Sequence, residues 1–311
     1  MTSGPVSIAV ATFRRPDELV ALLGTLRIAL RHVDPVPCRV IVVDNDPQAS
    51  ARSVCETVEG LDVDYLHQPK PGISATRNAA ISAALGAEFV VFVDDDELVT
   101  RGWLAELLRI QATTGADMVA GPVLSRLPEG TPEYIRDSGI FDRPSRPDAS
   151  LLSEAGSGNL LCRYSLFLAR PSSEWFQEAF SLTGGGDAEL TRRLHREGAC
   201  IAWAAHAVAY ERVPLSRVSI TWLSRRYRRV GAVDYRLDTR KRLRRIRGVA
   251  TGVARILSGA PPLAWRWVTC RSLDAPAFRR LFRGVGYIEA ALFGGYAEYQ
   301  RTTTSILSDW G

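Results

Sequence analysis

Short apolar runs alternate with helix-patterned stretches through the first two-thirds of the chain. "VSIAVA" (6–11) has the length of a buried strand. After Pro16, with Asp17 expected as the cap, Leu19, Leu22, Leu23, Leu26 and Leu30 recur at helical spacing. Strand patterns return at 39–46 ("RVIVVDND"), 63–68 ("VDYLHQ"), 88–93 ("EFVVFV") and 117–123 ("DMVAGPV"). Between them an alanine-rich helix is predicted over 73–85, and another through Trp103, Leu104, Leu107, Leu108 and Gln111. Such alternation predicts βαβ units and a mostly parallel sheet covered by helices on both faces, an α/β fold of the Rossmann-like kind.

The pattern weakens from 122 to 155, where Pro128, Pro132, Pro144 and Pro147 mark loops. "GSGNLLCRYSLF" (156–167) reads as a strand again. "GGGDAELTRRLHREG" (184–198) reads as a glycine loop opening a helix, with Asp187 at the N-cap, Leu190 and Leu194 on one face and Gly198 closing it. The last strand region is expected over 200–213. From Arg212 the chain turns basic, then helical and apolar to its end. The division expected is an α/β unit over 1–215 and a basic helical extension over 216–311. No internal repeat is evident.

In parallel sheets, ligands bind beyond the carboxyl ends of the strands. Asp44 and the triplet Asp94, Asp95, Asp96 fall there. Three adjacent carboxylates repel. Acids two apart can place oxygens on one hard cation, which would relieve that repulsion and neutralise a diphosphate; the alternative is a solvated acidic turn. Asp44 fits equally an Asx-turn in "VDNDP". Thr12, Arg14 and Arg15 follow the first strand, where arginine can meet phosphate or carboxylate in a forked pair or simply line a loop. Arg77 and Asn78 can reach the same cleft or lie on a surface helix. Asp187 is either a cap or a rigidly held general base. His206 reads as a structural histidine rather than a ligand, and Glu211 as a group supporting the site or holding a metal. The run Arg225, Arg226, Arg228, Arg229 is a solvated helix face, a diphosphate contact or a contact for anionic lipid.

Composition narrows the classes. At 46% hydrophobic and 23% charged residues the chain is too apolar to be disordered. The net charge of +5 comes almost wholly from arginine, since Lys70 and Lys241 are the only lysines. Five scattered cysteines form no zinc pattern and suit a reducing cytoplasm. The start of the chain lacks a signal-peptide pattern, and no apolar run reaches about 18 residues, so no spanning helix is expected. Peripheral contact with the inner face of the plasma membrane through the extension remains compatible with this. No nucleic-acid partner is expected.

"SIAVATFRRP", "IVVDNDP", "PGISATRNAAI", "FVVFVDDDE", "GSGNLL" and "GGGDAEL", in that order, resemble the family 2 glycosyltransferases of GT-A fold, and within them bacterial polysaccharide glucosyltransferases of the succinoglycan type. The resemblance covers roughly residues 5 to 235. It implies inverting transfer of a sugar from a nucleotide diphosphate, UDP first with dTDP or GDP as alternatives, to a sugar or lipid-linked acceptor hydroxyl, assisted by Mn²⁺ or Mg²⁺. It further implies that Thr12, Arg14, Asp44 and Arg77 bind the donor, that Asp94 and Asp95 do so within the D-x-D, with Asp95 toward the ribose, and that Asp94 and Asp96 hold the metal. Asp187 matches the general base, although Gly186 stands where the family usually has a second acid. Arg226 and Arg229 match a diphosphate-binding basic motif, and Glu211 stands where many relatives have histidine. Two rival readings are a haloacid dehalogenase-type phosphatase, which normally has Thr or Val where this chain has Leu98, and a basic peripheral-membrane scaffold.

Overall fold

A computed structural model describes residues 4–181, 184–238 and 244–294. The basic stretch 239–243 and the tail from 295 named above lie outside them. The chain begins with β1 (Val6–Thr12), α1 (Pro16–Arg31), β2 (Cys38–Asp44), α2 (Arg52–Thr57), β3 (Val63–His67), α3 (Ile73–Ala83) and β4 (Phe89–Asp94). β5 (Glu97–Val99), α4 (Trp103–Thr114), β6 (Met118–Ala120), β7 (Val123–Arg126) and α5 (Glu133–Arg136) follow. Then come β8 (Leu151–Leu152), β9 (Asn159–Arg163), α6 (Ser165–Leu168), α7 (Gly186–Arg196), β10 (Ile201–Trp203) and β11 (Ala209–Arg212). Three helices complete the described chain: α8 (Ile220–Leu237), α9 (Arg244–Cys270) and α10 (Ala275–Phe293).

β1 to β4 form the parallel half of the main sheet, in the order β3-β2-β1-β4. β9 enters antiparallel between β4 and β6, and β10 and β8 complete the far edge. Both faces are covered, as the continuous apolar strands require. Val6, Ile8 and Val10 pack with Leu19, Leu22, Leu23 and Leu26 on one side. Ala9, Ile41 and Val43 pack with Ile81, Phe92, Phe167 and Phe176 on the other. This is the α/β, mostly parallel architecture expected, with helices at the C-terminal end.

Several local readings change. Arg15, not Asp17, stands at the N-cap of α1; Pro16 opens the helix because its fixed φ suits the first turn, and Asp17 gains from the helix dipole one position later. α7 likewise opens at Gly186 after a left-handed Gly185 (φ +85°), so Asp187 lies in its first turn and is not the N-cap. The six-residue α2 and three-residue β5 are too short to show a period. The runs 117–123 and 200–213 each break in two: β6 and β10 stay in the main sheet, while β7 and β11 join β5 in a second sheet of three strands. Asn159 holds the break open. Its amide donates to the carbonyls of Pro122 (3.1 Å) and Ala207 (2.7 Å), and its oxygen accepts from the Trp103 indole at 2.8 Å.

β11 ends at Arg212 and α8 begins at Ile220, but the helices that follow share a core with the α/β unit. Ile135 and Ile140 pack with Val213, Val218, Leu223, Leu273 and Phe278. Arg279 of α10 donates to the carbonyls of Gly139, Ile140 and Asp142.

Replacing Asn159 with Ala would leave two buried carbonyls and one indole N–H unpaired. The expected cost is about 3 kcal/mol or more, a fall in Tm of roughly 6–12 °C. An unchanged melting curve would show that Asn159 does not hold the two sheets in register.

Candidate active site

β4 ends at Asp94, and the chain turns through Asp95 and Asp96 into β5. The turn therefore lies at the carboxyl edge of the parallel strands. The carboxylates are compensated by arginine. Arg15 donates to Asp95 at 2.9 Å and to Asp96 at 2.8 Å. Thr12, at the end of β1, donates its hydroxyl to the other oxygen of Asp95 at 2.9 Å. Arg77 of α3 pairs with Asp94 at 3.2 Å and lies over the Phe176 ring. Arg217 stands 3.8 Å from Asp96. The repulsion expected to call for a cation is thus already relieved by guanidinium groups.

Burial raises the carboxyl pKa values here. Asp95 is pushed up to about 6, mainly by loss of water and against the pull of Arg15. Asp96 is also raised, first by burial and then by the charge of Asp94. Glu97 is held well above the usual carboxylate range by burial and by Asp94. Across the small sheet Glu97 faces Glu211, whose two oxygens are taken by Arg143 (2.9 Å) and Arg217 (3.2 Å).

Arg226 of α8 completes this wall. Burial holds its pKa below the ordinary value, with Glu211 pulling it up. Among the described residues its guanidinium makes no hydrogen bond or ion pair and lies 5.2 Å over the Trp222 ring. Arg229 follows nearly one turn later on α8, half-buried. Arg15, Arg77, Arg143, Arg217 and Arg226 thus surround Asp94, Asp95, Asp96, Glu97 and Glu211, and Arg226 is the one of these arginines that makes no ion pair among the described residues.

Asp187 approaches from the other side. Its carboxylate accepts from the backbone N–H of Ala188 (2.8 Å) and weakly from that of Ser157 (3.4 Å), and it stays half-exposed. Ser157 belongs to the loop Gly156-Ser157-Gly158 that leads into β9. A Cβ at Gly158 would stand 2.6 Å from Glu97 and 3.1 Å from Asp94. One short loop therefore links Asp187 to the acidic turn, and only glycine fits between them. A crevice too narrow for water lies beside Arg77 and Asp94, against Ala11 and Phe92. A larger cavity of about 210 Å³ lies at the opposite sheet edge among Pro5, Cys38 and Leu85, away from this chemistry.

Asp44 and Arg14, two of the expected donor contacts, have partners within the protein. Asp44 is fully buried: its oxygens accept from Asp46 N–H (2.9 Å), Ala51 N–H (2.8 Å) and the Tyr65 hydroxyl (3.2 Å), which is the Asx-turn alternative. Arg14, in left-handed backbone at φ 55°, turns outward to Asp46, and its neighbour Arg15 takes the place at the triplet. Sequence reasoning did not single out Arg143, Arg217 or Glu97. Arg143 comes from the proline-rich loop and Arg217 from a short turn, where no periodicity places a side chain.

For a divalent cation, Asp94 and Asp96 are the carboxylates that would hold it, each with one oxygen bonded to an arginine, Arg77 and Arg15 respectively. Magnesium-type ions take one or two carboxylates and fill the shell with phosphate oxygens and water. Among the described residues no group of three acids, histidines or cysteines forms a complete cage. Glu211, held by two arginines, does not add to it.

A model of the family described as "Glycosyl transferase family 2" matches residues 7–168. The succinoglycan biosynthesis protein ExoM of Rhizobium meliloti (strain 1021) is 35% identical over 248 residues, covering 76% of each chain. The chain belongs to glycosyl transferase family 2. A pre-mycofactocin glycosyltransferase of Mycobacterium tuberculosis (strain ATCC 25618 / H37Rv) is 32% identical over 52% of this chain and 34% of its own length. Among solved structures, S. aureus TarS 1-349 in complex with UDP-GlcNAc superposes with a TM-score of 0.53 at 15% identity, over 95% of this chain and 93% of that one. The glycosyltransferase thus shares its GT-A fold with TarS. Among the described residues no helix is long and apolar enough to cross a membrane.

α7 depends on α8. Gly185 has φ +85°, and a Cβ there would stand 2.3 Å from the Val233 side chain. Gly185→Ala should cost about 3 kcal/mol through overpacking and backbone strain. The double variant with Val233→Ala should recover part of it in thermal melts; no recovery would refute the contact. A second prediction concerns pH. The folded carboxyl of Asp95 is raised from its ordinary value to about 6, so the folded state binds its proton more tightly than the unfolded chain. The resulting stability is full below the unfolded pKa and is lost as pH rises through about 6. Arg15→Gln removes a lowering charge, so the decline of Tm should extend to higher pH than in wild type. Superimposable profiles would sink the coupling.

Proposed function

We propose that this glycosyltransferase moves a sugar, with inversion, from a nucleoside-diphosphate donor to an acceptor hydroxyl, with Asp187 as general base. The single observation behind the reading is the shared glycine loop. It holds the half-exposed Asp187 carboxylate on one side and touches the Asp94 turn on the other. UDP is the donor base supported first, since TarS, of the same fold, has been crystallised with UDP and with UDP-GlcNAc. The matched ExoM acts in succinoglycan biosynthesis, which supports a growing or lipid-linked glycan as acceptor.

The donor lies across the carboxyl ends of β1 and β4, and Asp187 accepts the proton of the acceptor hydroxyl. That oxygen bonds to the anomeric carbon from the face opposite the nucleotide as the bond to the diphosphate oxygen breaks. Arg77 and Arg226 are placed to take up the charge that develops on the leaving group, and Arg226 is suited to this because no carboxylate among the described residues occupies it. Asp94 and Asp96 would hold Mg²⁺ or Mn²⁺, which as a Lewis acid would stabilise the same charge. Thr12 and Arg15 hold Asp95 in a fixed orientation beside them. Membership of the family sets the phosphatase and scaffold readings aside.

Calorimetric titration of UDP, with Mn²⁺ and with EDTA, tests the donor site. Asp187→Asn should lower kcat by 10²- to 10⁴-fold, the range of general-base catalysis, and leave UDP affinity unchanged. Arg226→Gln should weaken UDP about tenfold, the loss of one charge-assisted hydrogen bond. Loss of UDP binding in Asp187→Asn would overturn the base assignment.

A further inference from the structure

In the basic run that attracted attention in the sequence Arg225 is exposed, but two of its neighbours are engaged with the protein. Arg228 of α8 is tied to Glu289, and Arg226 faces the cleft. An outward face belongs to α9, whose sequence over 27 residues contains no acid. Ile246, Ala250, Val253, Leu257, Ala264 and Val268 follow one another at helical spacing and are all exposed. Leu257 is 68%, Trp265 72% and Val268 74% accessible. The stripe is about 33 Å long at the rise of an α-helix. Arg245, Arg247 and Arg266 stand exposed beside it.

A face of this kind has a chemical address. Apolar side chains along one stripe, tryptophan at its edge and arginine beside it match the boundary of a bilayer with anionic headgroups. We propose that α9 seats the enzyme on an anionic lipid surface, lying in the plane of the interface. Charge decides against a second copy as the occupant: a two-fold pairing of this face would set arginine against arginine, with no acid on the helix to offset it. The apolar stripe decides against nucleic acid, whose backbone offers charge but no greasy partner. Pro261 and Pro262, inside the helix, leave the carbonyls of Leu257 and Ser258 without intrahelical donors. Those carbonyls need water, which suits the headgroup layer and not the hydrocarbon core. The helix is also fastened to the body: Trp267 stacks edge-on with Tyr134 at 5.6 Å, and Leu263 packs in the core formed by Ile135 and Phe278. Docking α9 therefore holds the whole enzyme at the surface.

Flotation of the full chain with phosphatidylcholine vesicles, with and without phosphatidylglycerol, tests this without any nucleotide, so its outcome is independent of the transferase reading. The chain should float with the anionic vesicles and stay behind with the neutral ones. Leu257→Glu/Val268→Glu should abolish flotation with an unchanged melting curve, because both side chains are exposed. Arg245→Gln/Arg247→Gln/Arg266→Gln should lower partition about a hundredfold at low salt, at roughly fivefold per arginine. A chain that never floats, or a glutamate variant that floats like wild type, would overturn the proposal. So would a dimer in sedimentation that the glutamate variant dissolves, or duplex DNA binding in place of vesicle binding.

Discussion

The site rests on the problem of keeping three adjacent carboxylates at the end of an apolar strand. Asp95 is 5% exposed and cannot rely on water. An uncompensated buried charge would be far costlier than any single contact near it. The chain answers with Arg15, which stands at the cap of α1 and reaches Asp95 and Asp96 together. That one guanidinium ties the first helix to the turn after the fourth strand. The same compensation repeats outward, Arg77 on Asp94 and Arg143 with Arg217 on Glu211, until Arg226 is left, among the described residues, with no ion pair and only the more distant pull of Glu211. The cleft is thereby poised for an anion that is not part of the protein.

The second sheet follows from the same geometry. β5 leaves the acidic turn at once and needs partners, and the broken runs at Gly121 and Ala205 supply β7 and β11. Asn159 satisfies the carbonyls exposed where those runs leave the main sheet. The residue also opens β9, directly after the loop of Gly156 to Gly158.

Much of this was legible in the sequence, because buried parallel strands show as apolar runs and α1 as a leucine stripe. Thr12 and the aspartate triplet could be placed because they end such strands or follow them, and Asp187 because a glycine loop opens its helix. Arg143 and Arg217 could not, since their positions depend on how the proline-rich loop and the turn before α8 close over the sheet. Which of Arg14 and Arg15 faces the triplet depends on backbone conformation, which the sequence does not display: Arg14 is left-handed and Arg15 reaches Asp95 and Asp96. The Asx-turn at Asp44 was readable in "VDNDP", and the Asp46 N–H makes it; the contacts to Ala51 and Tyr65 were not readable.

The contact between Val233 and Gly185 has a consequence for how such enzymes can diversify. The helices after β11 press directly on the residue from which the Asp187 helix starts. Recombination that grafts this α/β half onto foreign helices would change the angle at which α7 presents Asp187, the residue proposed as base. New acceptor preferences can therefore arise from exchanges on the far side of the cleft, without altering any side chain that touches a sugar.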